Sequence, residues 1–113
     1  MKISTLLIAF LLSSSATIAA AADKAPVLDK NSCGKVDYPK AALMNEESGV
    51  VSLSVLVMTD GSVTDSKVEK SSGSKTLDKA AQKIYTSCKY LPGTKDGKSE
   101  QAWTKVEHIW TLS

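Results

Sequence analysis

The chain has 113 residues, of which 42% are hydrophobic and 23% charged, and its formal net charge is +2 with every basic residue a lysine. This length allows one small domain, and this balance excludes the broad positive field that holds nucleic acid or an anionic membrane. The charges read instead as a solvated surface.

Residues 1–22 read MKISTLLIAFLLSSSATIAAAA: a lysine near the start, an apolar run from Leu6 to Leu12, then small residues up to Ala22. This is the pattern of a secretory signal peptide, with cleavage expected after Ala22 and a periplasmic destination for the product. The apolar run falls well short of the ~20 residues of a membrane-spanning helix. Two cysteines, Cys33 and Cys88, remain in the exported part. In an oxidising compartment an even pair reads as a disulfide, and a loop of that length contributes about 4 kcal/mol in the chain-entropy model. A redox-active pair is disfavoured because the two are not in a C-x-x-C arrangement.

Residues 23–32 are polar, contain a proline and have no period, so they are expected to be a lead-in to a domain spanning 33–113. Pro39 and the helix formers up to Met44 predict a first helix of about two turns that stops by Gly49. From Val50 to Met58 the alternation places Val51, Leu53, Val55 and Val57 on one face. The opposite face is also apolar in part, which predicts a central strand. Asp60-Gly61 suits a tight hairpin turn. The return strand carries Val63 and Val68 five positions apart, which predicts a bulge near Asp65 or Ser66 if both are buried. Its Lys67, Glu69 and Lys70 suit a protected edge.

The spacing of Leu77, Ala80, Ala81, Ile84, Tyr85 and Cys88 predicts an amphipathic helix capped by Ser74 or Thr76. Residues 94–100 read as a polar loop. In the last strand, the even set Ala102, Thr104, Val106, His108, Trp110 and Leu112 is the expected core face. The predicted fold is therefore α+β, in αββαβ order. A three-stranded antiparallel sheet is packed by a long helix and a short N-terminal helix, with the last strand on an open edge.

YPKAA followed by GVVSLSVLVMTDGSVTDSKVEKSSGSKTLDKAAQKIYTSCKYLPG resembles the TonB C-terminal domain family, and more closely its stand-alone exported members with a Cys ahead of YP and another ending the long helix. The joint spacing of YP, G-x-V, D-G-x-V, S-S-G, L-D-x-A-A and C-x-x-x-P carries the resemblance across residues 33–113. It implies a protein-binding module of TonB-linked envelope transport. Such a module accepts an extended partner segment, possibly from an outer-membrane receptor or another TonB-system component, beside its last strand. Carried over by position, the receiving edge is Val106, Glu107, His108, Ile109, Trp110 and Thr111. Lys35, Val36 and Asp37 depart from the glutamines that TonB carries ahead of YP. TonB also has a membrane anchor and a long proline-rich spacer, whereas Asp23 to Ser32 reaches at most about 35 Å. Partner binding without energy transduction is therefore expected.

The remaining motifs carry no chemistry. His108 is the only histidine, and one imidazole does not build a metal site, so a core or edge residue with one hydrogen bond is expected. No serine stands in a nucleophile elbow, and SSGS lacks the glycine spacing and Lys of a phosphate loop. No enzyme, metal or cofactor is therefore expected. By alternation Trp110 belongs to the core and Trp103 to the surface, where an exposed indole makes a contact residue. The competing expectation is an envelope assembly accessory that acts through homodimers or cell-wall association.

Overall fold

The computed structural model describes residues 23–113, and the expected signal segment, residues 1–22, lies outside them. The order is β1 (Val27–Asp29), a 3-10 turn (Lys30–Ser32), α1 (Lys40–Met44), β2 (Gly49–Val57), β3 (Val63–Lys70), α2 (Lys75–Ser87), β4 (Lys89–Leu91), β5 (Gly93–Lys95), β6 (Lys98–Glu100) and β7 (Ala102–Trp110). The main sheet is antiparallel in the order β3-β2-β7, while β1-β4 and β5-β6 form two small ribbons. The α+β class, the central place of β2 and the two flanking strands are as the sequence predicts.

Alternation builds the core. Val51, Leu53, Val55 and Val57 are fully buried on the helix-facing side of β2. Val51 and Leu53 pack with Ala42 of α1, Leu77 and Ala81 of α2 and Trp110 of β7. Val55 and Val57 pack with Cys88 and Tyr90. Ile84, Tyr85 and Val106 touch both clusters, so α2 and β7 join the two halves of one core. Truncating Leu53 or Leu77 to alanine removes a buried isopropyl group and costs about 2–5 kcal/mol.

The helix ends have identifiable causes. α2 starts at Ser74, whose Oγ accepts from the Leu77 N–H at 3.1 Å and whose own hydroxyl proton goes to Glu47 Oε1 at 2.6 Å. α1 is shorter than the expected two turns and stops before Gly49. Glu46 turns left-handed at φ 53°, the Glu46 N–H donates to the Leu43 carbonyl and the Glu47 N–H to the Ala42 carbonyl. This pairing closes the free carbonyls as a Schellman turn, with glutamate in the place glycine usually takes.

The β2-β3 hairpin also differs from expectation. The Gly61 N–H donates to the Met58 carbonyl and the Met58 N–H to the Ser62 carbonyl, so the loop is Thr59–Gly61 and only Gly61 has positive φ. A side chain there would collide with the Tyr90 carbonyl, and the Gly61 carbonyl accepts from the Tyr90 N–H at 3.0 Å. Two bulges interrupt β3, at Thr64 and at Glu69. The first lies one residue before the expected position. It puts Val63 and Val68 on the same side of the sheet, opposite Val57 and Leu53. Val68 nevertheless stays 36% exposed at the sheet margin.

Residues 94–100 are a hairpin rather than a loop, closed by Asp96 and Gly97 at φ 53° and 79°. Residues 23–32 are likewise more ordered than a polar lead-in. Lys24 exchanges two backbone hydrogen bonds with Thr94, Pro26 is buried and β1 pairs with β4. Cys33 and Cys88 form the expected disulfide, with Cα atoms 4.3 Å apart, and it holds this strap to the end of α2.

Candidate partner-binding edge

β7 is laid down by nine consecutive pairs with β2, from Gly49↔Trp110 to Val57↔Ala102, without a register shift. Among the described residues no strand pairs with its other side. The backbone groups along that side have no strand partner, the template that strand addition needs, and the Glu107 carbonyl lies 3.5 Å from the Tyr85 hydroxyl.

The inward set holds β7 in place. Trp110 is 3% exposed and meets Tyr38 edge-on at 5.0 Å between ring centroids. His108 lies against the same indole at 4.3 Å. Its Nδ1 shares a 2.8 Å hydrogen bond with the Tyr85 hydroxyl. Burial lowers the His108 pKa and raises that of Tyr85. Both shifts favour a neutral imidazole accepting from a protonated phenol, with the ring proton on Nε2. Tyr90, which donates to the Tyr85 carbonyl at 2.8 Å, is pushed up to about 12 by burial and by the Tyr85 phenol. These groups orient one another. Half-buried against Tyr85, Trp110 and Val51, His108 makes one side-chain hydrogen bond, as the sequence implies for an edge residue.

One polar atom is unsatisfied: among the described residues the Trp110 indole N–H is buried without an acceptor. Leaving such a donor unmatched costs about 1–3 kcal/mol.

The outward set faces away from the helices. Trp103, 41% exposed, stands opposite Leu56, and the Lys67 ammonium lies 4.6 Å from its ring centroid. Lys105 is opposite Ser54, Glu107 opposite Ser52 and Ile109 opposite Val50. Glu107 Oε2 accepts from Ser52 Oγ at 3.3 Å. Among the described residues the only ion pair is Lys35–Asp37. Of the expected contact residues, Trp103, Glu107 and Ile109 are thus exposed on one face, Val106 and His108 are half-buried on the other, and Trp110 is core. Thr111 lies past the end of the strand, which closes at Trp110 and not at Thr111. The Lys67–Trp103 contact was not foreseeable, because it depends on the bulged register of β3.

Residues 34–112 match the family described as the Gram-negative bacterial TonB protein C-terminal. The chain belongs to the TonB C-terminal domain family. It is similar to Protein tonB2 of Pseudomonas aeruginosa, 36% identical over 70 residues that cover 62% of this chain and 26% of the relative. It is also similar to Protein TonB of Neisseria gonorrhoeae, 45% identical over 58 residues covering 51% of this chain and 20% of the relative. The chain thus spans only about a fifth to a quarter of these TonB proteins. The solution structure of the Helicobacter pylori TonB C-terminal domain superposes with a TM-score of 0.56 at 30% identity, covering 74% of this chain and 77% of that one. Among the described residues no helix is long and apolar enough to cross a membrane. Among the described residues no arrangement points to catalysis.

Proposed function

We propose that this TonB-type domain is a periplasmic protein-binding module that accepts an extended segment of a partner along the outer edge of β7. A receptor segment of the outer membrane, or a component of a TonB system, is the partner class that family membership suggests. The supporting observation is the unbroken nine-pair register of a strand that is paired on one side only. The contacting residues are Trp103, Val106, Glu107, His108, Ile109 and Trp110, with Thr111 extending the strand. Backbone groups supply the attachment and alternate side chains the selectivity.

Titration of labelled mature protein with synthetic receptor-derived peptides tests this reading. Amide shifts should appear first at Val106–Thr111. Perturbation confined to other elements would overturn it. So would a tight homodimer in equilibrium sedimentation with the β7 amides protected.

A further inference from the structure

The edge of β7 also carries a row of side chains that specifies what the incoming strand must present. This inference rests on the proposed strand addition and names the chemistry that the edge selects. On the face away from the helices the row reads Trp103, Lys105, Glu107, Ile109. Its two apolar ends stand beside Leu56 and Val50, and its centre holds one cation and one anion. Lys105 and Glu107 lie outside the only ion pair among the described residues. Of the ionic side chains of β3 on this face, Lys67 lies over Trp103, Glu69 Oε2 accepts from Ser54 Oγ at 2.8 Å beside Lys105, and Lys70 stands across Ser52 from Glu107; among the described residues none of them forms an ion pair with the row.

A strand added beside β7 places its own alternate side chains about 4.5–5.5 Å from this row, close enough for each opposite pair to be felt. We infer that the edge selects a partner segment whose same-face residues run apolar, charged, charged, apolar, with the two central charges of opposite sign. A segment with two like charges meets one repulsion on Lys105 or Glu107 whichever way it runs. A segment with one of each satisfies both in one of the two directions.

Three synthetic peptides test this without knowledge of the natural partner. One is Thr-Ile-Thr-Lys-Thr-Glu-Thr-Leu-Thr, the second replaces its Glu by Lys, and the third replaces its Lys by Glu. The wild-type protein should bind the mixed peptide about three- to tenfold more tightly than either like-charged one. That preference should shrink at about 0.5 M salt. K105E should shift the preference to the Lys-Lys peptide, and E107K to the Glu-Glu peptide. Equal affinities with β7 amides still shifting would overturn the charge selection and leave strand addition standing. Absence of β7 shifts with all three peptides, in protein that binds a receptor-derived peptide elsewhere, would overturn both.

Discussion

The two edges of the main sheet carry similar charges and have opposite prospects. β3 presents Asp65, Lys67, Glu69 and Lys70, while β7 presents Lys105 and Glu107, so ionic side chains alone do not separate a blunted edge from a receptive one. Regularity does. β3 loses register at Thr64 and Glu69, whereas β7 keeps nine pairs in sequence. Each bulge turns backbone groups away from the plane in which a further strand would have to lie. A protein can thus close one side of a sheet by inserting single residues and leave the other available with no change in composition.

The largest effect on this contrast should come from Trp110, which fixes the far end of β7. W110A is expected to cost about 3–5 kcal/mol and to raise amide exchange in β7 well above that in β3. W110F keeps a ring against Tyr38 and removes the unmatched indole N–H, so its cost should stay under about 2 kcal/mol. Equal losses in chemical denaturation would show that the ring packing contributes little.

On the β3 side the corresponding anchor is Asp78. One carboxylate oxygen accepts from the Ser72 N–H at 2.9 Å and the Ser72 hydroxyl at 2.8 Å, and the other from the Ser71 hydroxyl at 2.5 Å. Desolvation pushes its pKa up, but these three donors outweigh that and hold it below the usual value. The carboxylate is covered by its own donors rather than set deep in the core. D78N should cost about 1–3 kcal/mol at neutral pH and loosen the β3-α2 connection first. Because the folded-state pKa is depressed, the stabilisation is complete above the unfolded value near 3.8 and is lost as pH falls through the folded one. The advantage of the wild type over D78N should therefore fade in acid; a constant gap across that range would contradict the assignment.

Smaller effects should be confined to β7. Burial depresses the His108 pKa, so the unfolded chain takes up a proton first as pH falls below about 6.5, and stability declines from there through the folded value. Hydrogen exchange at pH 7.5 and 5 should show this as faster opening of β7 around Val106–Trp110, absent in H108Q. Smallest is K67A, which removes the cation over Trp103 and should cost about 0.5 kcal/mol. In a W110F background it should still change Trp103 fluorescence. Unchanged emission would mean that the ammonium does not rest there.

Strong periods made most of this fold legible. The alternation of Val51, Leu53, Val55 and Val57 and the helical spacing from Leu77 to Cys88 are dictated by one core, so they survive as patterns in the chain. The split of β7 into an inward Trp110 and an outward Trp103 follows from the same alternation. Short elements were illegible because their causes are distant. β1 has three residues and exists through its pairing with β4 across the disulfide, and the Asp96-Gly97 hairpin hides in polar residues with no face to bury. The bulge at Glu69 had no sequence signature, and the reach of Lys67 to Trp103 follows from the register set by the bulge at Thr64, one residue before the position that the valine spacing gave. The meeting of Tyr85 with His108 needed the register of β7 over α2, which periodicity alone does not set.

The bond between Cys33 and Cys88 also decides how the domain bears tension. A pull on the backbone at Asp23 has first to break the Lys24–Thr94 pair, the bond from the Thr104 hydroxyl of β7 to the Pro26 carbonyl and the ribbon of Val27–Asp29, and it halts at Cys33, where the load passes through sulfur to the end of the long helix. Once those bonds are gone the β2-β7 ladder feels the strain only through the packed interior, so tugging at Asp23 leaves the far margin in shape.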